Sequence, residues 1–419
     1  MALISLEAAR HRVLAQCPPI RPRAVPLAEA LGCATSVPIR AEEAVPPFDN
    51  TAVDGFAVRS AEVVGAAPDH PVHLRVIATI AAGAPPEPPV GPGQAVRILT
   101  GAPLPAGADA VVMIEDTDAW DGRSGREAPG PTGSGQVAVR RSVAAGANLR
   151  RAGDDIAPGQ EVFAAGTVLG AGHLGVLASL GLVRVPVYPR ARVGVLSTGD
   201  ELVPAGQPLG PGQIRDSNRT TLLALVAGAN AEPVDLGSVP DDPDALTAAL
   251  TDGVTRCDAI LTSGGVSVGD FDYVKVVLDR LSGQTMQWMQ VAIKPAKPFA
   301  FGTISGTPVF GLPGNPVSSM VGFEALARPA LRQMMGHVDL GRTRVLAVAD
   351  EGVRRRPDGK LHLVRVRGQW EADGRFHVRS SGGQESHLLR SMALANALAV
   401  VPDGDGVEAG GGVEVWLLS

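Results

Sequence analysis

Two glycine-bearing loops and a pair of lysines are the residues of this chain whose types and spacing point to chemistry. The apolar run Asp258-Ala-Ile-Leu-Thr262 opens into Ser263-Gly-Gly-Val-Ser-Val-Gly-Asp270, and Tyr273-Val-Lys-Val-Val-Leu278 then takes up helical spacing. Gly264, Gly265 and Gly269 permit positive φ and close backbone approach, so consecutive N–H groups can converge on an anion at a helix start. Ser263, Gly264, Gly265, Ser267 and Gly269 are therefore candidate ligand contacts. A second loop follows Thr307-Pro-Val-Phe-Gly311. It reads Leu312-Pro-Gly-Asn-Pro-Val-Ser-Ser319, with Asn315 as candidate N-cap and Pro316 at the first helical position. Pro313, Gly314, Asn315 and Pro316 join the candidates. Between the loops stands Lys294-Pro-Ala-Lys-Pro298, where each proline removes a backbone donor and biases the preceding lysine toward extended backbone. Each motif alone also suits an ordinary turn or a solvated basic loop. Together they favour an anionic ligand held by Lys294, Lys297 and the loop amides.

Carboxylates are the other chemical signal. Pro47-Phe-Asp-Asn-Thr-Ala-Val-Asp-Gly55 sets Asp49 and Asp54 on a turn-prone segment, where Asp side chains also serve nearby backbone. Ser197-Thr-Gly-Asp-Glu201 ends a strand, which places Asp200 and Glu201 at the ligand edge of an α/β sheet. Asp241, Asp242, Asp270 and Asp272 follow strand ends or the first glycine loop. Several carboxylates beside phosphate-type loops would repel the ligand unless a divalent cation bridges them, and Mg²⁺ is the ordinary choice. Arg150-Arg151, before Gly153-Asp-Asp155, can pair with these acids or with a ligand; a surface salt bridge is the default.

These groups need a scaffold, and the apolar periodicity supplies one. Ser5 caps an expected helix through Gln16, and a helical turn is expected near Leu27 to Leu31. From Pro46 to about Val143 the chain reads as short strands between Pro/Gly turns: Gly55–Val58, His73–Ala78, Ala95–Leu99, Asp109–Ile114 and Gln136–Arg140. Residues 171–180 read as a helix. From Arg192 strands alternate with helices, which implies βαβ units and a parallel sheet. After Gly341 the texture returns to β. The expected divisions are a discontinuous, mostly helical domain over 1–46 and 148–190, an inserted β domain over 47–147, an α/β domain over 191–340 and a C-terminal β-barrel-like domain over 341–419.

Composition bounds the function. The 419 residues and 45% hydrophobic content suit about three domains with ample cores. With 37 basic against 43 acidic residues, net −6, the chain does not read as a nucleic-acid or membrane-surface binder, and any anion site must be local. Cys17, Cys33 and Cys257 form no CxxC or zinc spacing, and the eight histidines no HExxH, which suits a reducing cytoplasm. No stretch approaches the roughly 18 apolar residues of a membrane helix. The alternating apolar pattern excludes disorder except around residues 121–135.

Six ordered motifs carry a resemblance: Phe48-Asp-Asn-Thr-Ala-Val-Asp-Gly55, Thr100-Gly-Ala-Pro-Leu-Pro105, Ser197-Thr-Gly-Asp-Glu201, the Ser263–Asp270 loop, Lys294-Pro-Ala-Lys-Pro298 and Pro313-Gly-Asn-Pro-Val-Ser318. In this order and over essentially the whole chain they resemble the MoeA family, the molybdopterin molybdenumtransferases, related to the E domains of gephyrin and of its plant counterpart. The resemblance implies an elongated homodimer of four-domain subunits with a central MogA-like α/β domain. The implied active cleft lies between the α/β domain of one subunit and the β insertion of the other. It implies insertion of molybdenum from molybdate into adenylylated molybdopterin with release of AMP, dependent on Mg²⁺ or a similar cation. By motif position Asp54, Glu201, Asp241 and Asp272 match the family's functional carboxylates, with Asp54, Glu201 and Asp272 as the metal ligands and Thr100 in the cleft. Lys294, Ser318, Arg365 and Ser386 match its oxyanion site. The implied partners are a MogA-like adenylyltransferase and acceptor molybdoenzymes or their chaperones. Gln290 departs from the pattern, standing where many members carry a further lysine; Val53 replaces a common Met and Phe56 a common Tyr. The alternatives are a MogA-like adenylyltransferase, which would not need the β domains, and a gephyrin-like scaffold.

Overall fold

A computed structural model describes residues 3–121, 126–127, 135–265 and 273–418. The chain separates into two compact units. Unit 1 comprises Met1–Val37, Ala165–Leu174 and Val183–Ser419, and unit 2 comprises Pro38–Ala164 and Gly175–Leu182.

Unit 1 is built on a seven-stranded sheet in the order Leu3–Ile4, Gln287–Val291, Pro298–Ile304, Thr307–Leu312, Ala259–Ser263, Arg192–Thr198 and Glu232–Val239. The last four strands are mutually parallel. Strand Pro298–Ile304 runs antiparallel to both of its neighbours, so the sheet is mixed rather than wholly parallel. The cause is local: Ser305 and Gly306 take φ values of 51° and 85°, the doubly left-handed turn that matches the twist of a two-residue hairpin. Both faces are covered. Leu222 and Val226 of helix Ser217–Gly228 pack with Val193, Val195 and Phe310 on one side. Leu246 and Leu250 of helix Pro243–Arg256 pack with Leu196, Ile260 and Val277 on the other. The N-terminal helix Leu6–Leu14 begins where Ser5 accepts from the Ala8 amide, and it buries Leu6, Ala9 and Val13 in the first of these clusters.

The C-terminal part of unit 1 is a closed barrel. Leu361–Trp370 pairs with Phe376–Ser380, the order continues through Arg344–Ala349, Gly412–Leu417 and Ala397–Val401, and Ala397–Val401 pairs back onto Leu361–Trp370. Closure leaves this sheet no free edge among those five strands. One short strand, Ile293–Lys294, joins it in parallel register with Leu361–His362. The lysine loop is thereby pinned to the barrel.

Unit 2 is a five-stranded sheet in the order Gln136–Val139, Val72–Ile80, Gln94–Ile98, Gly55–Val58 and Ala110–Met113. These match the five strands read from the sequence to within two residues at most ends. Its core gathers Phe56, Val58, Leu74, Val112 and Val137 on one face and Ile80, Val96, Ile98 and Val111 on the other. The expected helix over residues 171–180 is observed at Ala171–Ser179. Most of the stretch around residues 121–135 lies outside the described residues.

Asp242, read from the sequence as a carboxylate at the ligand edge, is spent on helix Pro243–Arg256, where its side chain accepts from the Asp244 and Ala245 amides at 3.1 and 2.7 Å. Asp242→Ala is expected to cost about 1 kcal/mol of stability through loss of this cap, read as a lower urea midpoint for unit 1.

Candidate functional site

The parallel strands of unit 1 end level with one another, with Ser197 opposite Ser263 and Ser263 opposite Leu312. Their loops therefore leave the sheet side by side at its C-terminal edge, where open α/β sheets bind ligands. Two hydrogen-bonding devices fix them. The Gly264 amide donates to the Leu312 carbonyl at 3.1 Å. The Asn218 side-chain amide donates to Ser263 Oγ at 2.8 Å and to the Gly314 carbonyl at 2.7 Å. Because a carbonyl only accepts, Asn218 must turn its NH₂ toward Gly314. Asn218 follows Asp216, which caps its helix by accepting from the Arg219 amide, so the bridging residue sits one step inside a fixed helix start.

Close approach explains the glycines. At Gly264, φ 101°, a Cβ would lie 3.0 Å from the Thr198 carbonyl oxygen, and at Gly265, φ 68°, it would meet Val274 at 2.2 Å. Ser267, Gly269 and Asp272, candidates on the same loop, lie outside the described residues. The second loop starts a helix at Pro316, with Asn315 in the cap position and the Ser319 amide bonded to its carbonyl at 2.9 Å. Its side chain makes no capping hydrogen bond. The Val317 amide instead donates to the carbonyl of Ser386 at 3.1 Å, which seats a barrel loop on the helix start.

These contacts enclose a cleft of about 630 Å³. Of the residues singled out from the sequence, Glu201, Lys294, Lys297, Pro313, Gly314, Asn315, Ser318 and Ser386 line it. Lys294 and Lys297 are exposed, and between them Ala296 is buried at φ 75°, a left-handed conformation unusual for a residue with a Cβ. Ser318 is 6% exposed and Ser386 comes from the barrel, so hydroxyl and ammonium groups from three separate segments converge.

Arg365 is placed differently from the cleft residues. It is fully buried, donates from Nη2 to the carbonyls of Gly383 and Glu385 and from Nε to Ser391 Oγ, and leaves Nη1 buried with no partner. It holds the loop that carries Ser386 and does not line the cleft. Ser263, Gly264, Gly265 and Pro316 do not line it either.

The acids divide. In unit 1 the Asp241 amide donates to the Asp200 carboxylate at 3.1 Å, and burial together with the charges of Asp200 and Glu201 pushes the Asp241 carboxyl up. Oxygen ligands under mutual repulsion are the chemistry a hard cation relieves. No set of three His, Cys, Asp or Glu side chains among the described residues is arranged to hold a metal. In unit 2, Asp54 and Thr100 do meet: Asp54 accepts from the Thr100 amide at 2.6 Å and its hydroxyl at 2.8 Å, which holds the carboxyl below its usual range. Asp49, in contrast, is structural, accepting from Arg151 Nη1 at 2.6 Å and the Ala152 amide at 2.8 Å.

Sequence reasoning missed Asn218, Lys360, Gln384 and Glu385. Lys360 lines the cleft as a third lysine, its ammonium 3.0 Å from Asp358. In Lys360-Leu-His-Leu-Val-Arg365 it reads as the first residue of a strand, and only the pairing of Ile293–Lys294 with Leu361–His362 brings it to the site.

Three family models match the chain: the MoeA N-terminal region (domains I and II) over residues 4–181, a probable molybdopterin binding domain over 194–333, and the MoeA C-terminal region (domain IV) over 349–418. The molybdopterin molybdenumtransferase 2 of Mycobacterium tuberculosis is 39% identical over 405 residues, which cover 95% of this chain and 96% of the relative. The chain belongs to the MoeA family. The molybdopterin molybdenumtransferase of Haemophilus influenzae is similar at 35% identity over 95% of the chain and 94% of the relative. A molybdopterin biosynthesis MoeA protein from Pyrococcus horikoshii superposes with a TM-score of 0.80 at 29% identity, covering 100% of both chains. In this MoeA family member the cleft draws Glu201, Lys294, Lys297 and Ser318 from the segment matched as molybdopterin binding, and Lys360 and Ser386 from the segment matched as domain IV. No helix among the described residues is long and apolar enough to cross a membrane.

Asn218→Ala would leave Ser263 Oγ and the Gly314 carbonyl without their shared donor. The expected cost is about 1–3 kcal/mol in urea unfolding. Asn218→Asp, which keeps the shape but cannot donate to Gly314, is expected to do no better than alanine.

Proposed function

We propose that this chain inserts molybdate-derived molybdenum into adenylylated molybdopterin and releases AMP, the final step of molybdenum cofactor biosynthesis. The observation that carries the reading is the convergence of Lys294, Lys297, Lys360, Ser318 and Ser386 on one cleft beside the glycine loops. A tetrahedral dianion wants ammonium and hydroxyl donors, and a phosphoanhydride wants backbone amides. Family membership and the relatives' names support the same activity.

In the proposed reaction two Mo–S bonds form at the dithiolene while one oxide of molybdate leaves with the two thiol protons as water. A water molecule cleaves the phosphoanhydride, giving AMP and the pterin phosphate, and molybdenum keeps its oxidation state. Lys294 and Lys297 hold the oxyanion by charge, while Ser318 and Ser386 orient it by hydrogen bonds. Arg365 keeps the Ser386 loop in place through the Gly383 and Glu385 carbonyls. A Mg²⁺ ion on carboxylate oxygens would offset the charge that develops on the departing phosphate. The ligands proposed for it are Asp54, Glu201 and Asp272. Asp54 belongs to unit 2, Glu201 to unit 1, and Asp272 lies outside the described residues. Asp241 and Thr100 are proposed to support these acids. The reading also carries the four-part domain division, a homodimer, a cytoplasmic location, and transient contact with a MogA-like adenylyltransferase and with acceptor molybdoenzymes or their chaperones.

The test incubates purified protein with adenylylated molybdopterin, Mg²⁺ and molybdate and assays AMP and active cofactor. Both are expected in equal amounts and only when molybdate is present, with Lys294→Ala slowing turnover by about a hundredfold. AMP release independent of molybdate, or a Lys294→Ala variant with wild-type turnover, would overturn the reading.

A further inference from the structure

We propose that Asp358 is a positioning residue of the cleft: it holds the Lys360 ammonium in place before an oxyanion arrives, which makes Lys360 a preset cation beside two free ones. The assignment rests on the reading of the cleft as an oxyanion site.

Three lysines line the cleft, and they are not alike. Lys294 and Lys297 are exposed and make no ion pair among the described residues. Lys360 is partly buried, and its Nζ donates to Asp358 Oδ2 at 3.0 Å. A free lysine keeps rotamer freedom that a ligand must freeze out, whereas a held one has already lost it. An ammonium carries three donors, and Asp358 takes one of them. Two remain for the ligand.

The hold is built from behind. Asp358 does not line the cleft; it lines a neighbouring cavity together with Arg355 and His362. The Arg355 side chain is 3% exposed and donates from Nη2 to Asp358 and Asp403, both at 2.7 Å, and from Nη1 to the carbonyls of Lys360, Val401 and Pro402. Asp403 also accepts from the amides of Asp358 and Gly359, at 3.0 and 3.1 Å. Gly359 turns the chain at φ 72°, and the Leu361 amide then donates to the Ala292 carbonyl at 2.8 Å, one residue before the short strand Ile293–Lys294. The backbone of Lys360 is thus fixed on both sides. Asp358 fixes the far end of its side chain.

An ordinary surface ion pair would do little of this. Burial alone would raise the Asp358 carboxyl, but hydrogen bonds from Lys360 and His362 bring it down to about 2, so the acceptor stays charged at neutral pH. His362 Nε2 lies 3.2 Å from both carboxylate oxygens. Burial keeps that imidazole low despite Asp358, so it does not compete with Lys360 as a further cation.

Two effects of Asp358 oppose each other. Its negative charge offsets part of the charge on Lys360, which by itself would weaken an anion's binding. Arg355 compensates that charge at 2.7 Å, and the carboxylate lies outside the cleft lining, so a ligand meets the ammonium. Holding Lys360 therefore outweighs neutralising it.

Molybdate titrations of the full chain form a double-mutant cycle that tests this. Lys360→Met is expected to weaken molybdate about tenfold and Asp358→Ala about fivefold. The double variant is expected to bind within about twofold of Lys360→Met alone, because Asp358 acts only through that lysine; independent effects would multiply to about fiftyfold. Asp358→Glu, which keeps the carboxylate, is expected to return within about twofold of wild type. If Asp358→Ala lowers the melting temperature, Asp358→Asn carries the cycle, weakening molybdate about threefold beside Lys360 and not at all beside Met at that position. Multiplying effects, or wild-type affinity in both Asp358→Ala and Asp358→Asn, would overturn the assignment. Wild-type affinity in Lys294→Ala would instead overturn the oxyanion reading of the cleft, and this assignment with it.

Discussion

One side-chain amide holds the cleft's two glycine-bearing loops in register. Asn218 spends both hydrogens of its NH₂ group, one on Ser263 and one on Gly314, and the Gly264 amide adds a third bond to the strand end at Leu312. Parallel strands bring their loops to one edge, but they do not set the gap between the loops. Here that gap is fixed from a third element, the capped helix Ser217–Gly228. Ser318 follows Gly314 on the loop that Asn218 holds, and Lys294 and Ser386 reach the same cleft from the lysine loop and the barrel.

The second constraint is the short strand Ile293–Lys294. It pairs with the first strand of the barrel, so the lysine loop belongs to the sheet domain by chain order and to the barrel by hydrogen bonding. Charge follows from this arrangement. A chain with a net charge of −6 presents a cationic surface where the two meet, through Lys294, Lys297 and Lys360, while Asp200, Glu201 and Asp241 crowd one another at the sheet edge. Local sign matters more than net charge for binding a small dianion.

Much of this was legible in the sequence, and the limits have physical causes. The strands of unit 2, the helix starts at Ser5 and Pro316 and the glycine loops are written in local periodicity and cap chemistry, which neighbouring residues determine. The antiparallel strand Pro298–Ile304 was not foreseen because direction depends on a two-residue turn, Ser305-Gly306, whose left-handed backbone the composition only hints at. Asn218 and Lys360 were missed because each becomes functional through partners 45, 96 or more than 60 residues away, which no local pattern records. Asp242 read as a ligand-edge acid because a cap and a ligand use the same residue type after a strand. Arg365 was matched by motif to an oxyanion site, yet it is fully buried and bonds to the carbonyls behind the Ser386 loop.

The account rests on the claim that the cleft between the lysine loop, the second glycine-bearing loop and the barrel is where the oxyanion sits. Crystals of the protein soaked in molybdate and measured at the molybdenum absorption edge test this most directly. The account predicts one strong anomalous peak within hydrogen-bond reach of Lys294 Nζ and Ser318 Oγ. A peak only elsewhere on the chain, with that cleft empty at saturating molybdate, would contradict it.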